Sequence, residues 1–263
     1  YIMSKIGIGI ITCNRTDFLK TCIDSLNDDW YDEIVIVNDG EVPVKHNKFN
    51  IINNPKNLGV CKTKNKALKF LLDNDCEHIF LVEDDMKFLG NIFAEYIKAK
   101  ELTGIDHFMF GYHGPANKGG VSGGKPQPRK VIDYGDIKIA LNQHCVGAVC
   151  YYTRKSLEDT GLFDEQFDKN NFEHVEHSYR LAKDGYSTPY WWWADIANSL
   201  DFVQEQACSE NNSAIRRGDD WQQSIIDSAY IFKSKHGVMP AWNDCVPDTS
   251  VDEVIKILKA FKK

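Results

Sequence analysis

His78–Asp85 reads HIFLVEDD, an apolar run closed abruptly by three consecutive carboxylates. A short uninterrupted apolar segment with such an end suits a strand buried on both faces of a parallel sheet. Working outward, three earlier segments have the same build. Lys5–Thr12 (KIGIGIIT) is β-branched and ends in polar residues, Glu33–Val37 (EIVIV) is broken by Asn38-Asp39-Gly40, and Ile51-Ile52 is a short strand before the loop Asn53–Gly59. Helical spacing separates them. Asn14–Asn27 carries Phe18, Leu19, Cys22, Ile23 and Leu26, with Thr16 or Asp17 available as a cap, and Ala67, Leu68, Leu71 and Leu72 share one face after Gly59. Strand–helix alternation predicts an α/β fold, a mostly parallel sheet with right-handed crossovers and helices on its faces. Ligands bind such sheets at the strands' carboxyl ends, where the tips TCN, NDG and EDD all lie.

Gly111–Arg129 holds six glycines and three prolines and is expected to be a long mobile loop. Beyond it, Ile137–Ala140 and Cys145–Tyr152 read as strands, and Arg154–Thr160 and His174–Lys183 as helices. Trp221–Lys235 reads as a later helix. Ser250–Phe261 reads as a terminal one, with Val251, Val254, Ile255, Leu258 and Phe261 inward and a Ser250/Glu253 capping box. The expected organisation is one α/β domain over 1–205, in two halves (1–100 and 101–205). A helical C-terminal extension over 206–263 packs on it.

With 263 residues, 43% of them hydrophobic, the chain can build its core without covalent staples. Eight scattered cysteines include no Cys-x-x-Cys pair, which excludes zinc ribbons and predicts reduced core thiols in a reducing compartment. No apolar run reaches membrane-spanning length and the first residues lack a basic-then-apolar leader, so a cytoplasmic protein is expected. The net charge of −7 disfavours a surface built wholly for nucleic acid. No P-loop or Gly-x-Gly-x-x-Gly fingerprint is present.

Three carboxylates at one strand end repel unless a cation neutralises them, and hard oxygen donors there suit manganese or magnesium (Mn²⁺ or Mg²⁺) bridging to phosphates. An acidic triplet is equally an ordinary solvated turn, and no second cluster offers a two-metal site. Asp39 can accept from a ring N–H or a ribose hydroxyl, or simply cap its turn. Arg15, Lys62 and Lys64 stand near the same edge, placed to counter phosphate charge or merely solvated. Tyr190-Trp191-Trp192-Trp193 is read as a strand, with Trp192 in the core and Trp191 and Trp193 free to stack on a sugar or base.

These segments, in this order, resemble one family. Ile10–Arg15, Val37–Gly40, Asn54-Pro55-Lys56-Asn57-Leu58-Gly59-Val60 and Val82–Asp85 look like the nucleotide-sugar half of a GT-A glycosyltransferase, nearest family 2. Gly161-Leu162-Phe163-Asp164-Glu165-Gln166-Phe167 is similar to that family's acceptor-side Gly-x-Phe-Asp-Glu-x-Phe pattern. Glu173–Arg180 (EHVEHSYR) is similar to its Glu-Asp-x-Asp-Leu-x-x-Arg helix start. The resemblance spans roughly residues 6–186 and is carried by the ordered series.

It implies transfer of a sugar from a nucleotide-diphosphate donor to a hydroxyl on a glycan or glycosylated acceptor. Thr12, Asn14, Arg15 and Asp39 would line the base and ribose, with Lys64 near the base or phosphates. Glu83 and Asp84 would approach the ribose, and Asp85 would bind the divalent metal. His174 stands where inverting members carry the Asp that deprotonates the acceptor, and imidazole can do the same work near neutral pH. A retaining branch carries Asn there, so inversion is only slightly favoured. Glu173 is a second candidate base, and His177 is read as a core or surface imidazole. His113 and Asp195 would help close the site, and His113, Trp191 and Trp193 would contact the acceptor.

Three rivals stay open. The basic and aromatic residues of 213–236, among them Arg216, Arg217, Trp221, Tyr230, Phe232, Lys233 and Lys235, would suit a phage-type enzyme acting on modified DNA, or an amphipathic helix with a charged outer face. A nucleotidyltransferase shares the strand-tip carboxylates but usually opens with a Gly-rich loop, which Thr12–Asp17 lacks. A carbohydrate-binding module without catalysis is the third.

Overall fold

The computed structural model describes residues 4–121, 123–167, 171–206 and 221–240, together with 250, 252–254 and 256. Strand β1 (Ile6–Thr12), helix α1 (Thr16–Asp24), strands β2 (Glu33–Asn38) and β3 (Asn50–Asn53), helix α2 (Val60–Asp73) and strand β4 (His78–Glu83) follow in the expected alternation. Then come β5 (Met86–Phe88), α3 (Ile92–Thr103), β6 (His107–Met109), β7 (Lys130–Asp133), β8 (Lys138–Asn142) and β9 (Val149–Thr153). The remaining elements are α4 (Arg154–Thr160), α5 (Glu173–Lys183), β10 (Trp193–Ile196), β11 (Val203–Glu205) and α6 (Trp221–His236).

Among the described residues the main sheet has the order β3-β2-β1-β4-β9-β6. β1 pairs in parallel with β2 and β4, and β2 with β3, while β9 runs antiparallel to β4 and β6. The chain steps outward from β1 to β3, then crosses back to lay β4 on β1's other side. That reversal between β1 and β4 leaves a crevice at the carboxyl ends of the strands. Register makes the tips level, with Thr12 opposite Asn38 and Ile11 opposite Glu83. Smaller sheets β10-β8-β7 and β11-β5 complete the frame.

Helix α2 buries Cys61, Ala67, Leu68 and Leu71 against the sheet. It lies unusually close because alternate residues of β1 on that face, Gly7 and Gly9, have no side chain. A Cβ on Gly9 would stand 2.8 Å from the Ala67 Cβ. This approach sets the position of Lys64 and Asn65, one turn earlier on the same helix.

Several local expectations are corrected. Arg15, not Thr16 or Asp17, is the N-cap of α1, and no side chain caps that end. The helix stops at Asp24, and Asn27 instead caps a short 3₁₀ turn by accepting from the Asp29 N–H. The strand expected over Ile137–Ala140 is shifted to Lys138–Asn142, and Cys145–Ala148 lies outside β9. Tyr190–Trp192 is a turn rather than a strand, because Trp191 adopts a left-handed backbone with φ 69°, and pairing begins only at Trp193. Residues 86–110 hold α3, capped by the Asn91 side chain accepting from Ala94 N–H and ended by left-handed Gly104.

Gly111–Arg129 is a loop without helix or strand among its described residues, but it is tied down. Asn117 donates to the Gly111 and His144 carbonyls and accepts from His144 N–H, and Lys118 pairs with Glu205 at 3.2 Å. Cys13, Cys22, Cys61, Cys76, Cys145 and Cys150 are free thiols. Cys208, Cys245, Arg216, Arg217 and most of the expected terminal helix lie outside the described residues. Ser250 and Glu253 do exchange the reciprocal bonds of a capping box, at 2.9 and 3.3 Å. Helix α6 packs Phe232 against Tyr179 and Tyr190, and Lys235 is held by Glu176 at 3.0 Å, so that cation is not offered to a polyanion. No helix among the described residues is long and apolar enough to cross a membrane.

Candidate active site

At the β1/β4 crevice, Thr12 donates its hydroxyl to Asp84 Oδ2 at 2.6 Å, tying the two strand tips together. The Arg15 guanidinium lies across both acids, paired with Asp84 Oδ1 and, at 3.1 Å, with Asp85 Oδ2. Burial pushes the Asp84 carboxyl up to about 7, against the downward pull of Arg15 and Thr12. Asp85 is held below the ordinary carboxylate range: burial would raise it, but His113 and Arg15 outweigh that. The His113 Nε2 stands 3.6 Å from Asp85 Oδ2, and that carboxylate in turn raises the imidazole against the effect of burial. His113 therefore belongs to this end of the site and is not among the residues lining the cavity of Trp191 and Trp193.

A pocket of about 190 Å³ opens beside these tips, lined by Thr12, Asn14, Arg15, Thr16, Asn38, Val42 and Val44. Asn14, left-handed at φ 56°, accepts from Glu41 N–H and so fixes the pocket's rim. Asn38 belongs to the NDG tip expected at this edge, whereas Val42 and Val44 have no signal in the sequence, since nothing in a one-dimensional pattern folds the segment after β2 back over β1. Asp39 has a different position from its neighbours. Its carboxylate accepts from Asn54 Nδ2, Leu58 N–H and Gly59 N–H at 2.8, 2.8 and 3.0 Å, and so shapes the turn that starts α2.

The donor set fits a hard divalent cation shared with a ligand. Asp85 Oδ1 is buried without a hydrogen-bond partner, an orphaned anionic oxygen at the crevice. Among the described residues no three His, Cys, Asp or Glu side chains form a closed metal site. Magnesium and manganese at phosphate sites commonly take one or two carboxylates, with phosphate oxygens and water completing the shell.

The second end of the site lies where α5 begins. A cavity of about 230 Å³ is lined by His174, Val175, Phe172, Asn171, Trp191 and Trp193, with Gln143, His144, Cys145, Ile225 and Pro240. The structure thus brings the three predicted residues His174, Trp191 and Trp193 together. Trp191 is buried, its indole N–H has no partner among the described residues, and its ring meets His144 edge-on at 6.0 Å. Trp192 instead turns to Arg129, whose guanidinium lies 5.1 Å from its ring centre. Gly147 lets the chain pass directly over His174, since a Cβ there would stand 2.9 Å from the imidazole Cγ. His177 is a core residue: Nε2 bonds the Gly161 carbonyl at 2.9 Å, and burial drives its pKa far down. Asp195 is also buried, accepting from Tyr96, Gly111 and Ser199.

Helix α2 joins the two ends. Asn65 exchanges two hydrogen bonds with the Phe163 backbone, at 2.9 and 3.0 Å, anchoring the Gly161–Phe167 segment. The buried Lys64 Nζ lies 3.0 Å from Glu173 Oε1 and 3.5 Å from Glu83 Oε1. It therefore contacts carboxylates from both ends, rather than standing free for a phosphate. Burial would lower the lysine's pKa, but Glu173 and Glu83 raise it above its ordinary value. Burial would raise Glu173, yet Lys64 and His174 hold it far below the carboxylate range. The sequence has no signal for this pair, whose members are 109 residues apart.

The sheet order, the reversal at β1/β4 and the acidic tip define a GT-A-like α/β fold, the fold of nucleotide-sugar glycosyltransferases. Comparison with solved structures agrees. S. aureus TarS in complex with UDP-GlcNAc superposes with a TM-score of 0.58 at 15% identity, over 98% of this chain and 71% of that one. A longer TarS chain gives 0.56 at 13% identity, and this chain spans 42% of its length. In sequence, an uncharacterised glycosyltransferase of Acanthamoeba polyphaga mimivirus is 28% identical over 229 residues, 80% of this chain and 85% of the relative. No protein-family model matches the sequence.

Proposed function

We propose that this protein is a glycosyltransferase that moves a sugar from a nucleoside-diphosphate donor, a UDP-sugar first among them, to a hydroxyl of a glycan or glycosylated acceptor. The observation that carries the reading is the pairing of two adjacent but chemically different compartments. One is polar and acidic at the β1/β4 crevice; the other is aromatic and holds an imidazole. The likeness to a viral glycosyltransferase and to a UDP-GlcNAc-binding protein supports it.

Thr12, Asn14 and Arg15 line the pocket for the nucleoside, and Arg15 ties that pocket to Asp84, with Glu83 next in the chain facing Lys64. Asp85 would hold Mn²⁺ or Mg²⁺, which when bound neutralises charge on the departing diphosphate. Arg15 adds fixed positive charge beside Asp85, and the His113 imidazole stands against the same carboxylate from the other side. On the other side, Trp191 and Trp193 provide an apolar wall for a sugar ring. His174 takes the acceptor's hydroxyl proton as the oxygen bonds to the anomeric carbon. The bond from that carbon to the diphosphate oxygen breaks, and its electron pair leaves on the nucleoside diphosphate. Attack opposite the leaving group inverts the anomeric centre.

The deciding experiment incubates the protein with a library of UDP-, GDP- and dTDP-sugars and Mn²⁺, and identifies the released product. Nucleoside diphosphate is expected. Pyrophosphate would instead indicate a nucleotidyltransferase, and no turnover with any donor a binding module.

A further inference from the structure

Glu173 and His174 are neighbours at the first turn of α5, where Phe172 enters left-handed at φ 63° and supplies no side-chain cap. Adjacent helical residues do not normally face each other. Here they do: His174 Nδ1 lies 3.1 Å from Glu173 Oε1, the same oxygen that receives the Lys64 ammonium at 3.0 Å. A carboxylate can only accept, so Nδ1 carries the proton of that bond, and in the neutral imidazole Nε2 is left with its lone pair. Glu173 is buried, and among the described residues its other oxygen, Oε2, has no hydrogen-bond partner, so Oε1 is the oxygen through which it acts. Lys64 is itself fixed, buried with its Nζ 5.5 Å from the Phe163 ring centre and tethered to Glu83.

We infer that Lys64 and Glu173 are positioning residues for His174. Glu173 sets the imidazole's tautomer, so that Nε2 is the basic nitrogen, and Lys64 limits how strongly that carboxylate stabilises the imidazolium. The inference rests on the reading of His174 as the base. It deepens that reading by assigning the proton to one nitrogen and by giving Lys64 a task other than binding phosphate. Glu173 is thereby a partner of the base and not a competing base. Its ionised form is the low-energy one, and its Oε1 is shared by two donors.

Among the described residues, the titratable and polar groups around the imidazole are the following. Glu173 faces it from its own helix, with Lys64 of α2 and Glu83 of β4 behind that carboxylate. From the segment before β9, Cys145 directs its thiol at the His174 carbonyl at 3.9 Å, and His144 lines the same cavity. Removing Lys64 leaves Glu173 acting on the imidazolium unopposed, so His174 should hold its proton to higher pH. Neutralising Glu173 should act in the opposite sense.

The test is ¹⁵N NMR of the full chain labelled at histidine, with the His174→Asn spectrum used to assign the His174 nitrogens. At pH 8 the expected signature is a protonated Nδ1 and a bare Nε2; the reverse tautomer overturns the proposal, and this measurement needs no variant of Lys64 or Glu173 to fold. In Lys64→Met the His174 midpoint should rise by about one pH unit or more, and in Glu173→Gln it should fall by a similar amount. Midpoints that stay put in both folded variants overturn it as well. UDP release from UDP-GlcNAc and other UDP-sugars by His174→Asn separates the two claims: undiminished turnover removes the base assignment, whatever the tautomer proves to be.

Discussion

The two ends of the site are built by different means. The end proposed to take the donor is made of consecutive residues at the tips of neighbouring strands, Thr12–Thr16, Asn38-Asp39 and Glu83–Asp85, brought level by parallel register. The end proposed to take the acceptor is a convergence of distant segments, with His144, Phe172, His174, Trp191, Trp193 and Ile225 among its lining, none of them a strand tip of the main sheet. The sheet edge gives a rigid platform for charge. The convergent end gives an aromatic cavity whose shape depends on turns, and turns are where specificity can change without disturbing the core.

The division predicts separable kinetic effects. The largest is at Asp85: Asp85→Asn should cost about 10³-fold in turnover and abolish Mn²⁺-dependent donor binding. Calorimetry with UDP-sugars checks this, and full donor affinity in the variant would dissolve the donor end as described. His174→Ala should lower kcat by about 10²-fold or more while donor affinity stays level, as read from initial rates and donor titration. A parallel loss of donor affinity would mean the ends are not independent.

Trp191→Ala should raise the acceptor KM about tenfold, equivalent to about 1.4 kcal/mol of lost contact, with the donor KM unmoved. The smallest effect concerns the seam between the ends. Asp195 sits on β10, which begins with Trp193, and accepts from the N–H of Gly111, where the His113 loop starts. Burial pushes its carboxyl up to about 7 despite four hydrogen bonds that pull it down. A carboxyl raised in the folded state contributes stability that is fully present at low pH and is lost as pH rises through about 7. The Tm of the wild type minus that of Asp195→Asn should therefore shrink between pH 5 and pH 8, and a constant difference would place the charged form in a less demanding environment.

Much of the donor end was legible because buried strands have a plain grammar: β-branched runs that stop at polar residues. The helix α3 was equally readable in principle from Asn91 and Gly104 at its ends, with Phe93, Tyr96 and Ala99 between them buried. The tryptophan run misleads for a definite reason. Alternation assumes an extended backbone, and Trp191 departs from it at φ 69°, which turns both the ring and the strand start. His113 is a second case: a Gly/Pro-rich loop has no periodicity to say where it lands, and it lands on Asp85.

From the sequence alone follow the alternating elements, the parallel sheet, the acidic tip after β4 and the imidazole at the start of α5. These depend on short-range patterns of burial and charge, which a chain carries wherever it folds. Tertiary structure alone decided that Lys64 would be shared by Glu83 and Glu173, that Asp39 would hold the remote turn at Leu58-Gly59, and that Trp191 would face His174's cavity. Those outcomes depend on distances between residues remote in the chain, set by how closely α2 lies on Gly7 and Gly9 and how the later turns pack, and no local pattern encodes them.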